Sequence, residues 1–304
     1  MSILDTLLGR TVSEKRKNLV RVIYVTVAVF LALVVVLAFA LAASTEDGES
    51  VDTGKQSETV TNKTLKRSFS DTKTGTLLVV NKNSAPFDFE ANPESKLVSM
   101  NAELPTSDGS ALYILQKDGM LANKDALDAL NEMITDFYDQ ASDKEAAKRL
   151  SVRSAYRTYV EQSGYATPAG HSDFHTGMLF ELTVGSTTTS ISTDSTFDWI
   201  YENAHKYGFI ERYPESKSSE TGVSDFDNAF RYVGTPHSNY IKEEGLSLEG
   251  YVKLIKESEK PISTSGYKVF YVKALSGDET EITVTSRSYS VSGDNGGGFI
   301  VTTK

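Results

Sequence analysis

The feature that most constrains this chain is a run of apolar residues near its N-terminus. Val22 to Ala43 reads VIYVTVAVFLALVVVLAFALAA, with no charge, glycine or proline. A helix of about 20 apolar residues crosses the hydrocarbon core of a bilayer, so the run predicts one transmembrane helix. Up to Arg21, five basic residues (Arg10, Lys15, Arg16, Lys17, Arg21) stand against two acidic ones (Asp5, Glu14), a net of +3. The whole chain carries −10, which leaves −13 for everything after Arg21. Basic residues before the run, with Glu46, Asp47 and Glu49 after it, put the N-terminus in the cytoplasm and the bulk of the chain outside. A cleaved signal peptide competes with this reading, because Ala40 and Ala42 precede Ser44 as small residues. Its apolar core is ordinarily about 7–15 residues, shorter than this run, so a retained single-pass anchor in the cell membrane is preferred.

The rest divides by composition. Residues 1–21 form a basic cytoplasmic head, 22–43 the span, and 44–74 a polar stalk with almost no large apolar residue. Globular patterning begins at Gly75, where TLLVVN predicts a first strand. Leu127, Leu130, Met133 and Phe137 lie at helical spacing within Leu121 to Ala141. Further helices are expected over Asp143–Leu150, Phe197–Tyr207 (stopped by Gly208) and Leu246–Glu257. Strands are expected at Ser151–Ser154, Gly177–Val184 and Phe230–Val233. From about residue 261 the β-branched and aromatic segments Tyr267–Ala274 and Glu281–Ser286, with Phe299–Val301, predict a small β extension to residue 304. Helices and short strands without regular alternation indicate an α+β fold for residues 75–260.

Composition excludes several chemistries. The chain has no cysteine, which removes disulfides, thiolate zinc sites, thiol nucleophiles and iron–sulfur ligation. Its acidic balance argues against a nucleic-acid partner. No phosphate-binding glycine loop and no G-x-S-x-G motif occurs. A metal site would rest on carboxylates and the four histidines, His171, His175, His205 and His237.

An ordered set of segments then narrows the choice: Ser154-Ala155-Tyr156-Arg157-Thr158 with Gln162; Pro168-Ala169-Gly170-His171-Ser172; Thr176-Gly177; Tyr207-Gly208-Phe209-Ile210; and Phe230-Arg231-Tyr232-Val233-Gly234. In this order and spacing the chain resembles the VanY-type D-alanyl-D-alanine carboxypeptidases, zinc enzymes that trim bacterial cell-wall peptides. The resemblance implies a DD-peptidase fold with a small central antiparallel sheet. It also implies a site of three zinc ligands and a glutamate base: a His in S-x-H-x-x-G, an Asp four residues after that Gly, a His just before F-R-Y-V-G, and a Glu three residues before that last His. Such a metal leaves one coordination position for a water of lowered pKa, whose proton the carboxylate takes.

Counted from Ser172 and Gly177, those positions hold Phe174, Glu181, Ala229 and Phe226 for the base. Only Glu181 keeps a donor atom. The resemblance also places Arg157 at the position that meets the peptide, with Ser154, Tyr156, Gln162 and Ser172 as further cleft residues. A structural ion pair is the competing role for Arg157.

The leading expectation is therefore a membrane-anchored, extracytoplasmic domain without catalysis and without a cofactor, which binds or senses peptidoglycan stem peptides or an envelope protein. One alternative is a divergent zinc carboxypeptidase using His171, His175 and Glu181. Another is a structural envelope scaffold.

Overall fold

The computed structural model describes residues 62–304; the predicted cytoplasmic head, membrane span and most of the stalk lie outside the described residues. Among the described residues no helix is long and apolar enough to cross a membrane. Thr59–Lys304 form one compact unit.

The fold starts earlier than the composition suggests. Lys63–Arg67 is a strand, β1, followed by a short helical turn at Phe69–Lys73, so the C-terminal part of the expected stalk belongs to the globular domain. Its one apolar side chain, Leu65, is buried against Ile282, Val284 and Phe299, partners more than 200 residues away that no local pattern reveals. TLLVVN, in turn, is not a strand. Leu77, Leu78 and Val80 are buried, but the segment joins no sheet: Leu77 N–H donates to Ser292 Oγ (2.9 Å) and Val79 N–H to the Asp294 carbonyl (3.4 Å).

The central sheet contains β2 (Ile114–Leu115), β3 (Leu150–Ser154), β4 (Leu179–Val184), β5 (Phe209–Glu211) and β6 (Ala229–Tyr232), in the spatial order β2-β3-β4-β6-β5. It is antiparallel except for the parallel β2–β3 pair at one edge. The main helix, α1 (Lys124–Gln140), starts at Asn123, whose side chain caps the Ala126 N–H. Its stripe of Leu127, Leu130, Met133, Ile134 and Phe137 packs in one cluster with Val152, Phe180, Leu182 and Phe230 from the sheet. Full burial of each such side chain contributes about 1.5–3 kcal/mol, and this cluster is the main core. The helix predicted at 197–207 is α2 (Asp198–Asn203) continued by a tighter 3-10 turn, which Gly208 ends in the left-handed conformation at φ 88°.

The C-terminal extension is a four-stranded sheet, β7 (Ile262–Thr264), β8 (Tyr267–Lys273), β10 (Tyr289–Gly293) and β11 (Gly298–Thr303), ordered β7-β8-β11-β10, while β9 (Thr280–Val284) pairs with β1. It is not a loose appendage. Val269 and Ile300 share a core with Leu77, Ile210, Val233 and the helices α3 (His237–Glu243) and α4 (Leu248–Glu257). His237, at the start of α3, is buried; Nδ1 lies 2.8 Å from Tyr251 Oη on α4 and Nε2 lies 3.2 Å from Thr302 Oγ1 on β11. Burial pushes its pKa down to about 4. The folded state therefore holds it neutral, while the unfolded chain protonates near pH 6.5. Its contribution is complete above that pH and lost as pH falls toward 4, about 3 kcal/mol in all. Urea unfolding at stepped pH should show this loss, and His237→Gln should remove that part of the slope.

Candidate functional site

Ser172 heads a short 3-10 turn, Asp173–Thr176, that Gly177 stops at φ 67°. A side chain at Gly177 would start 2.8 Å from Leu97 Cδ2, so the turn docks against the Leu97–Ser99 strand only with glycine there. The next residues enter β4. Ala229 on β6 lies directly across from Glu181 on β4, which puts both on one face of the sheet. Phe174 and Ala229 belong to one buried cluster with Leu179 and Tyr213, and Phe226 packs on it. The Phe226 ring stacks on Tyr213 at 5.6 Å between centroids and lies 6.2 Å from Phe174. The four positions that the resemblance assigns to zinc and its base are thus brought together, and three of them are filled with packed carbon.

The fourth, Glu181, is engaged by two guanidinium groups. Its Oε1 accepts from Arg153 Nη1 at 2.5 Å. Its Oε2 lies 3.5 Å from Arg157 Nη2, close enough for attraction but outside hydrogen-bond geometry, so this buried atom has no hydrogen-bond partner among the described residues. Arg157 is itself held on every side: Nε donates to Ser154 Oγ (2.8 Å), Nη1 to Gln162 Oε1 (3.3 Å), and its faces lie against Phe174 (3.7 Å) and Tyr165 (3.9 Å). The phenyl ring at the first ligand position therefore supports an arginine by a cation–π contact.

The histidines are also committed elsewhere. His175 Nδ1 lies 2.7 Å from the Arg157 carbonyl and Nε2 accepts the Gly170 N–H at 3.0 Å, so both ring nitrogens are spoken for. Burial lowers its pKa and keeps it neutral at pH 7. His171 Nδ1 lies 2.9 Å from the Asn81 carbonyl. Among the described residues no three His, Asp or Glu side chains gather as a metal would require. Two carbon side chains, an ion-paired glutamate and a doubly bonded imidazole do not fit a catalytic zinc.

Beneath the turn lies an ionic cluster. Asp173 pairs with Arg212 and Arg231, all three without solvent exposure at the side chain, and Arg212 also makes a fork of 2.6 and 2.9 Å bonds to Glu249. Burial opposes the charge of Arg212, but Asp173 and Glu249 outweigh it and hold its pKa above the ordinary value. Arg231 is lowered by burial and by the charge of Arg212, and Asp173 offsets this only in part.

A cavity of about 310 Å³ opens beside this centre, lined by Arg153, Ser154, Tyr156, Arg157, Thr158 and Tyr165 among others. Of the expected cleft residues, Ser154, Tyr156 and Arg157 line it; Gln162 acts through Arg157, and Ser172 is buried in the turn and does not line it. Phe174 and Ala229 are buried in their cluster and neither lines this cavity. Arg153 is the residue that sequence reasoning missed. A β-bulge between Val152 and Ser154 leaves it unpaired and turns it toward Glu181 and the cavity, and nothing local announces a bulge.

Comparison with known proteins places the domain. Residues 161–235, which include Phe174, Glu181, Phe226 and Ala229, match the family VanY: D-alanyl-D-alanine carboxypeptidase. A D-alanyl-D-alanine carboxypeptidase of Enterococcus faecium is 36% identical over 202 residues, 62% of this chain and 64% of that protein. The putative carboxypeptidase YodJ of Bacillus subtilis is 31% identical over 155 residues, 44% of this chain and 54% of that protein. The chain thus spans less than two thirds of either relative. Among solved structures, the vancomycin-resistance D,D-dipeptidase VanXYg in complex with a D-Ala-D-Ala phosphinate analogue superposes with a TM-score of 0.65 at 26% identity, covering 80% of this chain and 98% of that one. The chain thus has the α+β fold of that D,D-dipeptidase, its residues 161–235 match the VanY family, and it is similar over part of its length to D-alanyl-D-alanine carboxypeptidases.

Removing Asp173 strands the fully buried guanidinium of Arg231 and leaves Arg212 with Glu249 alone, so Asp173→Ala should cost about 3–5 kcal/mol in denaturant unfolding. Glu181→Ala should cost less, because Arg153, its closer partner, retains 37% side-chain exposure and can turn to water.

Proposed function

We propose that this domain binds cell-wall stem peptides without hydrolysing them. The relatives support cell-wall peptides as the ligand class, and taken by themselves they favour the second reading, a D-alanyl-D-alanine carboxypeptidase. The observation that carries the binding reading is the donor set: where the family pattern needs two imidazoles and a free carboxylate base there are Phe174, Ala229 and Phe226, packed together. No group at that point activates a water. What remains is a cavity lined by arginine and tyrosine. Arg157 is buried, donates to Ser154 and Gln162 and is sandwiched between Phe174 and Tyr165, whereas Arg153 uses one nitrogen on Glu181 and keeps part of its side chain exposed. Its planar fork suits a peptide carboxylate. The apolar run at 22–43 supports a place at the outer face of the cell membrane, where such peptides occur.

Two measurements on the purified protein test this. Metal analysis should find zinc well below one per chain, and incubation with a pentapeptide ending in D-Ala-D-Ala should release no D-alanine. Stoichiometric zinc together with D-alanine release would establish the carboxypeptidase reading instead. In calorimetric titration the same pentapeptide should bind, and Arg153→Ala should weaken it about tenfold, the loss of one charge-assisted contact.

A further inference from the structure

A second cavity, of about 210 Å³, lies at the edge of the central sheet between β5 and the segment from α3 to Leu246. Glu211 is opposite Phe230, and Phe230 is opposite Phe180, so these three share one face of the sheet. Glu181 and Ala229 are on the other face, because neighbours in a strand alternate. The second cavity therefore places its carboxylate away from the arginine-lined one.

Its walls are apolar at Phe209, Phe230, Ile241 and Leu246, with Glu211, His205, Lys217 and Lys242 as the charged or titratable groups around them. The Glu211 carboxylate is half-buried, and neither a hydrogen bond nor an ion pair holds it among the described residues. His205 Nδ1 is buried without a partner. The nearby Lys242 does not close on Glu211; its Nζ donates to the Tyr201 carbonyl at 3.3 Å. His205 Nδ1 is sealed off from the cavity as well, so the polar group a ligand can reach is Glu211, and a partly desolvated carboxylate without a partner favours a cation. Burial, and then the charge of Asp227, raises the Glu211 pKa, as expected for a carboxylate short of a cation. Burial and the neighbouring lysines Lys206 and Lys242 lower that of His205, which is neutral at pH 7.

We propose that this cavity is a binding site for a primary ammonium carried on a short apolar body, the ammonium pairing with Glu211 and the carbon chain lying on Phe209, Phe230 and Leu246. At about 30 Å³ for each water-sized unit the space holds roughly seven non-hydrogen atoms. Hexylammonium matches that size. The site is independent of the peptide-binding reading and stands or falls without it.

The test uses the purified full-length chain with isotope-labelled Ile and Leu methyl groups, titrated by NMR at pH 7 with hexylamine, 1-hexanol or hexanoate. Hexylamine should shift the methyl signals of Ile241 and Leu246 saturably, at least tenfold more tightly than the alcohol or the acid. Glu211→Gln should abolish that preference, and Leu246→Trp, which fills the cavity from its apolar wall, should abolish the shifts. Arg153→Ala should change none of this. The proposal is overturned if the alcohol binds as tightly as the amine, if hexylamine produces no saturable shift, if Glu211→Gln keeps the preference, or if binding survives Leu246→Trp.

Discussion

The pairing of Asp173 with Arg212 and Arg231 is the interaction on which the centre of this domain depends. It joins the turn that carries Phe174 to the end of β5 and to β6, and through Glu249 it reaches the start of α4. Two arginines without solvent exposure are expensive to desolvate, and only carboxylates in contact make the arrangement tolerable. Removing Asp173 leaves Arg231 with no counter-charge in contact. This explains how the turn can keep its position even though no metal-binding set of side chains occupies it.

With that frame in place, the degenerate centre follows from size and polarity. Phe174, Phe226 and Tyr213 fill the space where the family pattern calls for polar donors, and Ala229 gives them room on β6. Glu181 has lost no charge, but the charge is spent on Arg153 and Arg157. The arginine that the family pattern aims at the peptide is wedged between Phe174 and Tyr165 and has become part of the wall. Arg153, on the bulge of β3, keeps part of its side chain exposed.

Much of this was legible in the sequence. The stripe Leu127–Leu130–Met133–Phe137 became the core face of α1, and the strands at 150–154, 179–184 and 229–232 fell where alternation and β-branching put them. The spacing from Ser172 to Ala229 picked out four positions that meet in space. Other features were hidden for a common reason: each depends on a partner distant in the chain. β1 carries one buried residue and is held by β9; TLLVVN is buried by surroundings that give it no ladder; Arg153 is aimed by a register slip; His205 is part-buried because of what packs over it.

The sequence alone determined the chemistry that could be on offer: no thiols, four histidines, an acidic domain after an apolar run of membrane-spanning length, and carbon side chains at positions where the resemblance required donors. These are matters of composition and spacing, which local order conveys. Only the tertiary structure decided which groups remain available. Hydrogen bonds and ion pairs saturate, and whether His175, Arg157 or Glu181 has a lone pair or a donor left depends on neighbours brought from Gly170, Tyr165 and Arg153 by folding. The same closing-off leaves Arg153 on one face and Glu211 on the other with capacity to spare.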